Sequence, residues 1–582
     1  MGFTTRPVIM GTHGAVAAGH YLAARAGLRM LEVGGNAIDA GVAMGFALAL
    51  LKPDQNGIGG ESPILIYAAD RARVSAVNGQ GFAPEAATMA RMKELGIEDI
   101  IPGDGFLPAM VPSMVDNYVT SLAVFGTLPL AEVLAPALEM AEHGFPLHEG
   151  LRGSIQSNLE RWQEHYPSTV EVWAPGGRVP EIGQVVTNRD WAAAMGLLVE
   201  AERKAARRGR RAALEAARDV FYKGEIAKTI VTFARETEVI DASGRAHAGL
   251  LAEADFAAFR ARVEDPIGTS YRGLMVYKCN TWCQGAVFLQ QLNLLEGFDL
   301  AAMEHNGPDY IHTVIECAKL AFADRNAHYG DPEFAEVPLG RLLSKEYAEE
   351  RRRLVDAQQA SREDRPGDVP PGRRREPAAP EGEWPLTHTG DTTRCCAVDR
   401  WGNMISITPS GGWFMSSPVV PGLGFPLGTR GQMFELDPEH PNCLQPRKRP
   451  RTTLTPSLVM KEGKPWMVFG TPGGDSQDQW TLQFFLNYVD FGMNLQEAVD
   501  KPTFHSEHFR GSFHPRAAKP GSVVVEGRIP EGVRKALEAR GHVVRAAGDW
   551  AHGQVEGIRY DAETGLISAA SSPRGVSYAM GW

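Results

Sequence analysis

The stretch Gly390-Asp391-Thr392-Thr393-Arg394-Cys395-Cys396-Ala397-Val398-Asp399 decides how this chain is read. A polar, proline-rich segment runs into it, and after Thr392 the residues become β-branched and apolar. A threonine hydroxyl is a poor nucleophile unless a neighbouring group takes its proton. A cut between Asp391 and Thr392 would give Thr392 a free α-amine. Such an amine titrates at roughly 7.7–8.0 in peptides and can serve as base for the hydroxyl of its own residue. The bland alternative is a pair of threonines entering a strand, which β-branched residues favour. The linker just upstream tips the reading toward a self-cleaving junction with a threonine nucleophile.

Outward from the junction, 392–398 and 404–408 flank Asp399-Arg400-Trp401-Gly402-Asn403, a five-residue turn with glycine and asparagine that predicts a β-hairpin. Further strands are expected at 457–461, 466–469, 522–525 and 567–571, with helices at 477–488 and 530–540. Upstream, residues 351–391 are rich in Arg, Glu, Pro, Gly and Ala without apolar period, the pattern of a flexible linker. The chain opens with apolar spacing of three and four over 19–33, stopped by Gly34-Gly35. Asn36 then starts an apolar helix that ends near Lys52. A glycine-rich loop, Asn56-Gly57-Ile58-Gly59-Gly60, precedes a strand pair at 63–67 and 74–77. Residues 110–262 read as mainly helical, and a second helical block covers 287–295 and 308–326. Strands on both sides of the junction with helices outside them suggest two stacked sheets covered by helices.

At 582 residues the chain is long enough for two lobes or one large layered domain. With 43% hydrophobic and 22% charged residues it is globular in composition, and a net charge of −11 argues against a nucleic-acid partner. Arg373-Arg374-Arg375 sits among prolines and reads as solvated linker. The N-terminus lacks an apolar signal core. The most apolar run, 37–51, contains Asp39 and is shorter than the ~20 residues of a membrane span. Six cysteines without CxxC pairing read as buried reduced thiols, so a cytoplasmic location is expected.

Three further constellations carry chemistry. Gly470-Thr471-Pro472-Gly473-Gly474-Asp475 follows a strand and could aim successive N–H groups at one developing oxyanion. No Lys-Ser/Thr follows, so a phosphate loop is excluded. Lys448-Arg449-Pro450-Arg451-Thr452-Thr453-Leu454-Thr455-Pro456 offers hydroxyls that either hold a polar substrate group or make turn hydrogen bonds. His505-Ser506-Glu507-His508, with His514 beyond, is the nearest thing to a ligand cluster, and a polar surface loop is preferred over a metal site. His388 and Asp391 lie close enough to the junction to tune it. No HExxH, Gly-x-Ser-x-Gly elbow or glycosidase carboxylate pair occurs, and neither metal nor cofactor is expected.

Taken in order, Gly34-Gly35-Asn36-Ala37-Ile38-Asp39-Ala40, Gly57-Ile58-Gly59-Gly60, Ala323-Asp324-Arg325, Gly330-Asp331-Pro332, Thr392-Thr393 with Asp399 and Gly402-Asn403, Lys448-Arg449-Pro450, Gly470 to Gly474 and Ser572-Pro573-Arg574 resemble the gamma-glutamyltranspeptidase family across nearly the whole chain. The resemblance implies an N-terminal-nucleophile hydrolase with an α+β, four-layer αββα sandwich. It implies a proenzyme cut before Thr392 into a large fragment, 1–391, and a small one, 392–582. By the same resemblance Gly473 and Gly474 supply the oxyanion amides, Ser410 is the hydroxyl supporting the α-amine, and Thr452-Thr453 hold the substrate.

The departures are informative. Glutathione-cleaving members place an arginine shortly before an Ala-Pro, where this chain has Gln80 in Asn78-Gly79-Gln80-Gly81-Phe82-Ala83-Pro84. Their amine-binding Gln and Asp correspond to Arg430 and Met433, with Gln432 and Glu435 available if the register slips. Gly412 replaces an asparagine. A lost arginine–carboxylate contact costs on the order of 2–5 kcal/mol when desolvated. The expected function is therefore an acylase-type amidohydrolase acting through an acyl-enzyme on Thr392. A true gamma-glutamyltransferase or glutathione hydrolase is the alternative, and a non-catalytic member, left uncut, a third. Arg430 is expected either to read an anionic acyl group or to pair with a carboxylate near Glu435 and point away. The expected partners are a small-molecule amide and the two fragments of the chain, without membrane or nucleic acid.

Overall fold

The computed structural model describes residues 3–369 and 391–582. Two seven-stranded antiparallel sheets form its centre. One runs, edge to edge, Ile9–Gly11, Ile567–Ser571, Glu556–Tyr560, Lys464–Gly470, Ser457–Lys461, Leu274–Lys278 and Ile267–Tyr271. The other runs Tyr578–Gly581, Gly14–Ala18, Cys395–Asp399, Met404–Ile407, Ile64–Ala68, Arg73–Asn78 and Arg262–Glu264. A smaller sheet joins Phe504–Ser506, Ser522–Val525 and Val543–Ala546.

Side-chain alternation builds the layers. Cys396 and Val398 point between the two sheets, among Ala15, Ala17, Leu65, Leu458, Val468 and Ile558. Cys395 and Ala397 point the other way and pack with Ile405, Ile407 and Ile64 against the helices that include Tyr21–Glu32 and Ala37–Leu51. The outer face of the first sheet, with Val276, Val459, Met467 and Phe469, is covered by Gly285–Leu295, Pro308–His328 and Gln477–Val489. Helix, sheet, sheet, helix is the four-layer αββα arrangement. Because both faces of the central strands are covered, they read as continuous apolar runs rather than half-polar ones.

The helix Ala37–Leu51 is buried at all of its 15 positions. Asn36 caps it, accepting from the N–H groups of Ile38 and Asp39 at 2.9 and 3.1 Å, while Asp39 accepts from the Asn36 N–H at 2.9 Å. The carboxylate of Asp399, in the hairpin turn, accepts from the Ala37 N–H at 2.9 Å. The strand that begins just after Thr392 and the apolar helix are thus tied end to end.

Two expectations need correcting. The first part of the supposed flexible linker is packed: Ala360 donates its N–H to the Arg540 carbonyl, Gly367 donates to Asp324, and Val369 is buried. Hydrogen bonds of its backbone hold this strap, which apolar periodicity does not reveal. Residues 370–390, with Arg373-Arg374-Arg375, His388 and Gly390, lie outside the described residues. His505 and His508 are not on a surface loop. Both are buried, His505 against the rings of Trp480 and His552. All six cysteines are buried free thiols. Among the described residues no helix is long and apolar enough to cross a membrane.

Candidate active site

Thr392 lies fully buried at the head of the strand Cys395–Asp399, paired through an isolated bridge with Ser410. Its Oγ1 is 3.1 Å from Ser410 Oγ. The carbonyl oxygen of Asp391, on the other side of the peptide bond expected to break, accepts from Ser410 Oγ at 2.9 Å and from Trp413 Nε1 at 2.7 Å. The Asp391 carboxylate accepts from the Thr392 N–H at 2.8 Å and from Gln55 Nε2 at 2.7 Å. Burial raises the pKa of that carboxyl.

Arg430 comes to the same point. Its guanidinium is ion-paired with Glu61, donates to Ser410 Oγ, and lies 4.7 Å from the Trp413 ring centroid and 5.5 Å from that of Phe513. Burial pushes the Glu61 carboxyl up, against the pull of Arg430. The geometry requires glycine at 411, where φ is +69° and a Cβ would lie 2.4 Å from a Glu61 oxygen. Neither reading of Arg430 therefore describes it: the side chain faces Ser410, and its charge is already met by Glu61. Glu435 is held instead by Arg510 and Arg516. Gln432 binds the Gly103 carbonyl at 3.0 Å and the His514 N–H at 3.0 Å.

The other expected residues sit on adjoining loops, and none is hydrogen-bonded to Thr392 among the described residues. Thr452 donates its N–H to the Trp282 carbonyl at 3.1 Å. The Thr452 and Thr453 hydroxyls are buried with no partner among the described residues, as are Gln80 Oε1 and Thr471 Oγ1. The Gln80 loop runs beside the threonine loop through an Ala83 N–H to Lys448 carbonyl bond of 2.9 Å. Gly473 and Gly474 take φ of +117° and +53° after the strand Lys464–Gly470. A Cβ at Gly474 would lie 2.9 Å from the Phe513 ring, and that ring is 6.2 Å from Trp413, which links this loop to Trp413 through one ring. Arg451 spans the gap, donating to Ser512 Oγ at 2.7 Å while Ser512 binds Asp475. No carboxylate lies within 4.0 Å of Arg451 among the described residues. Desolvation first, then Arg325, pulls its pKa down to about 9.

The family-like motifs turn out largely to be clamps around this site. Asp331 accepts from Arg449 at 3.0 and 2.9 Å, Arg325 is ion-paired with Asp475 beside Gly474, and Arg574 binds Glu526 at 2.9 Å. A matching family model, described as "Gamma-glutamyltranspeptidase", covers residues 23–582. The chain belongs to the gamma-glutamyltranspeptidase family. It is 31% identical to the glutathione hydrolase-like YwrD proenzyme of Bacillus subtilis (strain 168), over 98% of this chain and 99% of that one. The solved structure of LmbA2991HD superposes with a TM-score of 0.94 at 44% identity, covering 100% of both chains. Cephalosporin acylase from Bacillus halodurans superposes at 0.84 and 31% identity, covering 100% of this chain and 98% of that one. As a member of this family the chain is a self-processing N-terminal-nucleophile hydrolase of amide bonds.

Sequence reasoning missed Glu61, Gln55, Trp413 and Phe513. Glu61 directly follows the glycine loop that was singled out, which is the only signal it offered. Far from the site, His312, Glu316 and His542 come within 4.8 Å of one another in a set that could hold a metal ion. Glu316 is already ion-paired with Lys319 and Arg365, and the two imidazoles hydrogen-bond each other at 2.8 Å. Two cations on the only carboxylate oppose a third.

Proposed function

We propose that Thr392 is the nucleophile of a self-cleaving amidohydrolase of the acylase type, releasing fragments 1–391 and 392–582. The observation that carries this is the buried Thr392 hydroxyl at the head of a central strand, 3.1 Å from Ser410 Oγ. After the cut the Thr392 α-amine is the base, and Ser410 orients it. The acyl carbonyl of the substrate is attacked, its oxyanion meets the Gly473 and Gly474 amides, and the amine leaves. Water then releases the acyl group. Gln80, Thr452 and Thr453 line the acyl pocket.

Gln80 offers an amide where a gamma-glutamyl carboxylate would need a cation, so glutathione is a poor substrate in this reading. Arg451, which donates to Ser512 Oγ and has no carboxylate within 4.0 Å among the described residues, supports acyl groups ending in an anion or carbonyl over those ending in an ammonium. Arg430, paired with Glu61 and bonded to Ser410, serves the nucleophile's surroundings instead. Similarity to a protein named glutathione hydrolase-like favours the second reading, a true gamma-glutamyl hydrolase or transferase. One panel tests both: cut protein assayed on glutathione, with and without an acceptor dipeptide, beside dicarboxylate monoamides and neutral amides. Turnover of glutathione equal to that of the best non-glutamyl amide would establish the second reading. The six reduced thiols support a cytoplasmic site of action, tested by fractionation of the native host.

A further inference from the structure

Before the cut, the nitrogen of Thr392 is an amide and cannot act as a base. Self-cleavage therefore needs groups that later turnover does not. The uncut peptide shows them. Ser410 donates its hydroxyl proton to the Asp391 carbonyl oxygen at 2.9 Å, so at 3.1 Å it must accept from the Thr392 hydroxyl. The indole N–H of Trp413 donates to the same carbonyl oxygen at 2.7 Å. Arg430 donates to Ser410 Oγ, which makes the serine a stronger donor, and Glu61 fixes Arg430. Neither Gly473 nor Gly474 donates to that oxygen among the described residues.

We propose that Trp413 and Ser410 form an oxyanion site dedicated to self-cleavage, separate from the glycine amides that serve the substrate. The proposal rests on Thr392 being the nucleophile. As Thr392 Oγ1 bonds to the Asp391 carbonyl carbon, its proton passes to Ser410 Oγ, and the serine proton passes to the carbonyl oxygen. Charge developing on that oxygen meets the Trp413 N–H. A five-membered cyclic adduct results. Its carbon–nitrogen bond breaks as the proton returns through Ser410 to the Thr392 nitrogen, leaving an ester and a free amine. Water adds to the ester and yields the Asp391 α-carboxylic acid and the Thr392 hydroxyl. Once the carbonyl is gone the indole still has an acceptor, the Gln55 carbonyl at 2.9 Å, so the donor stays satisfied in the mature protein.

The test compares wild type with Trp413→Phe and with a chain carrying 3-benzothienylalanine at position 413, which keeps the ring and replaces N–H by sulfur. Fragment appearance is followed by mass spectrometry, with and without hydroxylamine, which splits esters. Removal of one oxyanion donor slows acyl chemistry about a hundredfold to a thousandfold, so both variants should be cut that much more slowly, and hydroxylamine should not restore the rate. A wild-type small fragment that does not start at Thr392 sinks the nucleophile reading. Correct wild-type cleavage with the sulfur isostere cut at the wild-type rate overturns this proposal alone. Restoration by hydroxylamine also overturns it, because the ester would then form without the indole. If Trp413→Phe does not fold, the isostere decides.

Discussion

Two groups of loops invite comparison, one around the Asp391–Thr392 peptide and one carrying Gln80, Thr452, Thr453 and Thr471. Around the Asp391–Thr392 peptide, Ser410, Trp413, Gln55, Arg430 and Glu61 bond one another and the scissile peptide, although Gln55 Oε1 is left without a partner among the described residues. On the adjoining loops, Thr452, Thr453, Thr471 and Gln80 bury polar oxygens that have no partner among the described residues. A buried polar atom without a partner costs about 1–3 kcal/mol, and such atoms occur at many places in the chain, Gln55 Oε1 and Thr393 Oγ1 beside the scissile peptide among them. The first group is organised around the chain's own peptide; under the proposed function the second would offer its oxygens to a substrate.

The largest test removes the shared atom. Thr392→Ala should remain a single 63.2 kDa chain with no amide hydrolysis; fragments or turnover above background would dissolve the comparison. Next is the group around the scissile peptide. Arg430→Met strands Glu61 in the interior and should cost about 3–5 kcal/mol in denaturant unfolding of the uncut chain, with slower self-cleavage because Ser410 loses its donor. Adding Glu61→Leu should return most of the stability and none of the cleavage rate. Recovery of both would reduce the pair to packing.

Part of the pH response should come from histidines outside both groups. No histidine touches Thr392 among the described residues. His440, His508 and His542 are buried, and burial holds their pKa at about 4, about 4 and about 3, against roughly 6.5 unfolded. Below 6.5 the unfolded chain takes up protons that the folded chain refuses. Each histidine should therefore withdraw up to about 1.4 kcal/mol per unit as pH falls from 6.5 toward 4, opposed by Glu556 and Asp104, whose carboxyls burial raises to about 7 and about 6. A pH slope of the thermal midpoint between 6.5 and 4.5 that is the same in wild type and in His508→Gln would contradict this.

The smallest effect belongs to the idle group. Thr453→Val should be cut at the wild-type rate and be no less stable, while kcat/KM on the preferred amide falls roughly tenfold, about 1.4 kcal/mol. Slower self-cleavage would show that the two groups are not separate.

Local signals carried much of the fold. The turn after Asp399, the Gly34-Gly35 stop, the Asn36 cap and the strands Ser457–Lys461, Ser522–Val525 and Ile567–Ser571 all stand where their chemistry places them. What the sequence hid is pairing at long range. Cys395–Asp399 lies against Gly14–Ala18, and the partner of Arg430 is 369 positions away in a loop that reads as a glycine turn. Trp413 is harder still. An indole after two glycines looks like core filling, and only the direction of its N–H distinguishes it. Arg430 stands out in the sequence, but its partner Glu61, and hence its meaning, is a property of three dimensions.

Both sheets mix strands from before and after Thr392. In one, Cys395–Asp399 and Met404–Ile407 sit between Gly14–Ala18 and Ile64–Ala68. In the other, Ser457–Lys461 pairs with Leu274–Lys278 and Ile567–Ser571 with Ile9–Gly11. Cutting at Thr392 would break no pairing within either sheet, yet it would change what unfolding means. An uncut molecule that opens can close again by itself. A cut one must find its other half in solution, at a rate set by dilution. Maturation would thus act as a ratchet: the same hydrogen bonds hold the molecule, but the way back is concentration-dependent.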